Sequence, residues 1–155
     1  MKSKRFLLLL VLVVASPWMM KAQTTITIGD GDATHQMLPV NTNKEYSLSQ
    51  QIYTAAEIGG AGTITSIALN HNNAVPPGRF EIYLVHTSKT AFDNITDWIT
   101  VEPSDMVFSI VDTPLNAGWT TFNLNTPFVY DGQRNLALIV DYSIPSLNYC
   151  NYNNW

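Results

Sequence analysis

The sequence predicts an all-β fold, an antiparallel β-sandwich of jelly-roll type, with a closed barrel as the alternative. Three observations carry this expectation. Apolar and β-branched residues recur with period two in short runs. Gly, Pro, Asn and Asp punctuate the runs at short intervals. Helical periodicity is almost absent. Alternation of this kind belongs to sheets with one buried face, because successive side chains of a strand point to opposite sides.

The first 22 residues stand apart from this pattern. Lys2, Lys4 and Arg5 precede an unbroken apolar run from Phe6 to Ala15, and a more polar tail with Pro17 ends on Ala22. That is the plan of a secretory signal peptide. The run is shorter than the roughly 20 residues a spanning helix needs. Cleavage is expected between Ala22 and Gln23, leaving residues 23–155 as a single domain outside the cytoplasm, secreted, at the cell surface or in the periplasm. The mature chain then has no membrane span.

Strands are expected in order along the mature chain. Thr24–Ile28 reads as the first, stopped by Gly29-Asp30-Gly31-Asp32. Tyr46–Thr54 reads as a second, with Tyr46, Leu48 and Ile52 offered to a core, and Thr63–His71 as a third, after Gly59-Gly60-Ala61-Gly62. Arg79–Thr87 alternates most clearly: Phe80, Ile82 and Leu84 share one face, Arg79, Glu81 and Tyr83 the other. Lys89–Phe92 is expected to make a turn of helix and Trp98–Val101 a short strand. Met106–Val111, Trp119–Leu124 and Pro127–Tyr130 follow, the last closed by Asp131-Gly132. Leu136–Tyr142 is apolar throughout and reads as a central strand buried on both faces. The uncharged, aromatic segment Leu147–Trp155 is of a kind that packs, so the chain is expected to be a fragment that lacks its last strand or further domains.

Charge narrows the function. The leader takes four of the eight Lys and Arg, leaving four basic against twelve acidic residues, a formal charge of −8. Such a surface repels phosphate backbones and argues against nucleic acid as a partner. Cys150 is the only cysteine and has no partner for an internal disulfide.

Catalytic motifs are missing. There is no Gly-x-Ser-x-Gly elbow and no His-Glu-x-x-His, and His35, His71 and His86 are far apart. His71 and His86 read as surface residues. Asp30 and Asp32 on their Gly-flanked loop offer oxygen ligands of the kind calcium takes, although the EF-hand pattern fails: His35 stands at the sixth position and Asn41 at the twelfth. No other cofactor is indicated. Asp93, Asn94 and Asp97 form a second acidic cluster. Glu57, before the Gly59-Gly60 turn, reads as an acceptor for loop N–H groups. Trp98, Tyr83 and Tyr53 are the candidates for ligand contact, because flat rings with polar edges suit sugars and proteins alike. Trp119 reads as a packing residue.

Several phrases, taken together, carry a family resemblance. They are Thr25-Ile26-Thr27-Ile28-Gly29, Tyr46–Tyr53, Glu57-Ile58-Gly59, Gly62–Ala68, Ile82–Thr87, Phe92 with Asp97-Trp98-Ile99, Gly118-Trp119 and Pro127–Gly132. Their order and spacing resemble β-sandwich modules of secreted, adhesin-like surface proteins of Bacteroidetes-type bacteria. The resemblance covers nearly all of the mature chain and brings no catalytic signature. It implies a non-catalytic binding module, with a glycan or protein ligand and neighbouring domains in a longer protein. The alternative is a fragment or accessory domain of an exported hydrolase acting on glycans or peptides. A purely structural spacer is the third reading.

Overall fold

The computed structural model describes residues 23–29, 35 and 37–144. The leader with Ala22, the acidic loop with Asp30 and Asp32, Cys150 and the aromatic segment Leu147–Trp155 lie outside the described residues.

Among the described residues, six strands form two antiparallel sheets. They are β1 (Tyr46–Tyr53), β2 (Gly62–His71), β3 (Arg79–Thr87), β4 (Met106–Val111), β5 (Gly118–Tyr130) and β6 (Asn135–Ser143). The larger sheet has the order β1-β6-β3-β4, and the smaller pairs β2 with β5. The chain is therefore an all-β sandwich, with four strands over two, against the roughly eight strands of a complete jelly roll.

The core lies between the sheets. Phe80 on β3 stacks on Phe122 of β5 at 5.0 Å, and Phe108 of β4 meets Phe122 edge-on at 5.2 Å. Ile82, Leu84, Leu138 and Val140 surround these rings. The alternation read from β3 is the one observed. On β6, Leu136, Leu138, Val140 and Tyr142 face this core, while Ala137 and Ile139 point to the opposite side. Both are nevertheless 0% exposed, so β6 is buried on both faces as its composition requires.

The second cover comes from residues 88–105, where two sequence expectations fail. The helical turn at Lys89–Phe92 is absent because its hydrogen-bonding groups are used elsewhere. The Lys89 carbonyl accepts from Asn135 Nδ2 at 2.8 Å, and the Asp93 N–H donates to Asp97 Oδ2 at 2.9 Å. Trp98–Val101 is extended but joins no ladder, since the Gln50 side chain takes both backbone groups of Ile99, each at 2.8 Å.

β1 is placed as expected but phased the other way. Ser47, Ser49, Gln51 and Tyr53 face inward, opposite Tyr142, Val140, Leu138 and Leu136, while Tyr46, Leu48 and Ile52 lie on the outer face. Leu48 and Ile52 are thus half-buried on the outer face, the side on which Gln50 holds Ile99, while Tyr46 is exposed. The polar row of β1 enters the sandwich, where the Asn41 N–H donates to Ser47 Oγ at 2.8 Å and Ser49 Oγ donates to the Pro39 carbonyl at 2.6 Å.

Three further differences complete the comparison. Thr24–Ile28 makes no strand: it is exposed, with no strand paired to it among the described residues. Trp119–Leu124 and Pro127–Tyr130 are one strand, β5, because its pairing with β2 resumes across an irregularity. There Asn125 Oδ1 accepts the Ser109 N–H of β4 at 2.9 Å, stitching the two sheets along that side, and Pro127 falls beside the break, where a missing N–H is tolerated. Lastly, α1 (Ala55–Ile58) is a single helical turn closed by a capping box: the Thr54 N–H and Oγ both donate to Glu57 Oε2 at 2.7 Å. Thr54-x-x-Glu57 is the sequence signature of that box.

Candidate functional site

The sandwich is stitched at β4 and β5 and open on the other side, where β1 and β2 are both edge strands. Residues 37–42 run into this opening, and the buried side chain of Val40 closes part of it. What is left is a groove of about 370 Å³. This size falls in the range of roughly 300–1,000 Å³ typical of small-ligand clefts. Its walls are the inward row of β1, through Gln51 and Tyr53, and the free edge of β2 from Ala68 to His71. Asn72 and Asn73 line its end, and Trp119 its lip.

His71 is the singular residue of this wall. It continues the inward phase of Ile67 and Leu69 on β2, is 4% exposed, and stands edge-on to Phe122 at 6.3 Å. Its Nε2 is the one buried side-chain nitrogen or oxygen among the described residues without a hydrogen-bond partner. Burial lowers its pKa below the usual 6.5, so the ring is neutral at pH 7. The expectation of a surface histidine is thus corrected: alternation along β2 carries it inside. His86 is also drawn in. It packs against Phe128 and Tyr130, and its Nε2 accepts the Asp131 N–H at 3.1 Å.

Of the ring residues named from sequence, Tyr53 lies in the groove, where its hydroxyl donates to Gln51 Oε1 at 3.0 Å. Burial, and then the charge of Glu57, raise its pKa, so the phenol stays protonated. Tyr83 is on the outer face of the larger sheet, its hydroxyl donating to Glu81 at 2.8 Å; burial first, and then this hydrogen bond, raise its pKa. There Arg79 bridges Glu81 at 3.4 Å and Asp141 at 3.8 Å. Trp98 is 51% exposed beside the clamped Ile99, on that same outer side. The sheet therefore separates Tyr53 from Tyr83 and Trp98.

Trp119, taken from sequence as a packing residue, is 66% exposed. The reason is phase: Phe122 points inward, so Trp119, three residues earlier on the same strand, points out, beside its register partner Asn70. That parity was available in the sequence.

Two of the acids named from sequence, Asp97 and Glu57, are occupied. Asp97 accepts from Lys89 Nζ at 2.6 Å and from the Asp93 N–H, which holds its pKa low. Glu57 holds the cap of α1, as its reading as a loop acceptor required, and the Thr54 hydrogen bonds lower its pKa. No group of three or more His, Cys, Asp or Glu among the described residues is arranged to hold a metal ion. No helix among the described residues is long and apolar enough to cross a membrane. The groove lining among the described residues contains neither carboxylate nor Lys nor Arg. Comparison with protein-family models, curated proteins and solved structures gives no match.

Proposed function

We propose that this chain is an exported, surface-associated binding module of adhesin-like type, without catalytic activity, and that it takes its ligand in the groove between β1 and β2. The groove of about 370 Å³ between two free strand edges, lined by aromatic rings and amide side chains, carries this reading. The leader pattern of residues 1–22 supports export, and the structural phrases quoted above support the adhesin-like class.

The hydrolase reading finds less support. A general acid needs a raised pKa, whereas the Glu57 carboxylate is held low and committed to α1. An array of glycans and matrix proteins tests the proposal directly. Binding to at least one class is expected, and it weakens in Trp119→Ala. A silent array with a folded sample overturns it.

A further inference from the structure

On the reading that the groove is the ligand seat, we infer that its ligand is an extended peptide segment of another protein, added to the free edge of β2 as a third strand of the smaller sheet. In a strand, successive residues turn their N–H and C=O groups to opposite edges. β5 takes the groups on one edge of β2, and among the described residues no strand takes those on the other. From Ser66 to His71 the pairing with β5 runs without a shift, so the free groups over this stretch are regularly spaced. Its last part, Ala68 to His71, lines the groove. Such a row of donors and acceptors is matched by a second peptide backbone, which repeats at the same period. β2 also lacks the charges, the Pro and the shortness that keep edge strands from being extended. It has ten residues, and none is Asp, Glu, Lys, Arg or Pro. Its irregularity, between Ile64 and Ser66, lies away from the groove.

The two faces of an added strand fit what flanks the edge. Side chains of one parity enter the groove, where Gln51, Tyr53 and Leu69 meet them. Those of the other parity emerge on the outer face, beside Asn70 and the exposed Trp119. The added strand also strengthens the smaller sheet, since two strands are marginal and three are not. Charge selects the source. The chain without its leader carries a formal charge of −8, which favours a neutral or basic segment over an acidic one. A second copy, pairing β2 with β2, is the competing occupant, and it would bring together two chains of the same strong negative charge.

The test is amide hydrogen exchange of the purified protein, read residue by residue in NMR spectra with and without peptide. The probes are Lys-flanked peptides of about eight residues with Thr/Val, Ser/Ile or Asn/Leu alternation. Each has a control of the same sequence in which alternate backbone nitrogens are methylated, which keeps the side chains and removes the donors of one edge. The expected result is that at least one peptide slows exchange about tenfold at every second amide from Ser66 to His71, and that its methylated control does not. A Glu-flanked version should bind about tenfold more weakly at low salt. Equal binding of peptide and control overturns strand addition, because side chains alone then hold the ligand. Amides of this edge already protected in the free protein, or a dimer in ultracentrifugation whose dissociation exposes them, overturn it because the edge is taken. Silence with every peptide overturns it too, and leaves the binding groove standing if the glycan and protein array gives a hit. A silent array alongside removes the binding module as well.

Discussion

At the scale of single residues, buried histidines give the fold a pH dependence with a definite sign. His71 and His86 both have lowered pKa values, with burial as the main cause. Arg134 lowers that of His86 further, while Asp131 opposes. The unfolded chain therefore binds more protons than the folded one below the ordinary histidine pKa of about 6.5, and stability falls as pH drops through that value. His71→Phe should flatten this slope without abolishing it, because His86 remains; urea unfolding at pH 5 and pH 8 measures the difference. Thr54→Ala removes the side-chain half of the α1 cap and should cost about 1 kcal/mol in the same assay. Both features were written in the sequence as local patterns: Thr54-x-x-Glu57 is a capping box, and His71 falls on the inward phase set by Ile67 and Leu69. What no local pattern contained was the lack of a partner for His71, which depends on what the opposite edge of the sandwich places nearby.

At the scale of elements, β6 is the strand on which two apolar layers meet. Ile82→Ala on β3 opens a cavity between the sheets, and Ile139→Ala opens one under residues 88–105. Each should cost about 2–5 kcal/mol, because both side chains are fully buried. A much smaller loss for Ile139→Ala in denaturant titration would mean that the outer layer is loosely packed. Turns are tight where glycine is required: Gly132 has φ +72°, and a Cβ there would sit 2.5 Å from the Ala61 nitrogen. Gly132→Ala should cost more than about 1 kcal/mol by the same measurement. β3, β4 and β6 were legible because strong alternation or a continuous apolar run fixes a strand with its faces. β1 was legible as a strand but not in phase. Leu48 and Ile52 lie on the side of an irregular segment with no periodicity of its own, so nothing in the sequence announced a second apolar layer.

At the scale of the whole molecule, the two sides of the sandwich differ. Contacts between β4 and β5 join the sheets on one side, while β1 and β2 stand apart around the groove on the other. Amide hydrogen exchange should therefore be slowest in β6, which is bonded to strands on both sides. It should be fastest, among the strands, along the free edge of β2 in its two-stranded sheet. The groove itself could not be read from the sequence, because its walls come from Gln51, Tyr53, His71 and Trp119, which only the stacking of the sheets brings together. The polar inward row of β1 has a last consequence. Moving that strand along β6 by one position would turn Leu48 and Ile52 into the sandwich and expel Ser47, Ser49 and Gln51. Judged by greasiness alone, this misalignment is the better one. The chain rejects it through polar ties from Asn41, Pro39 and Ile99. Cutting those ties should favour the slipped register, in which Leu48 and Ile52 would fill the cleft from within.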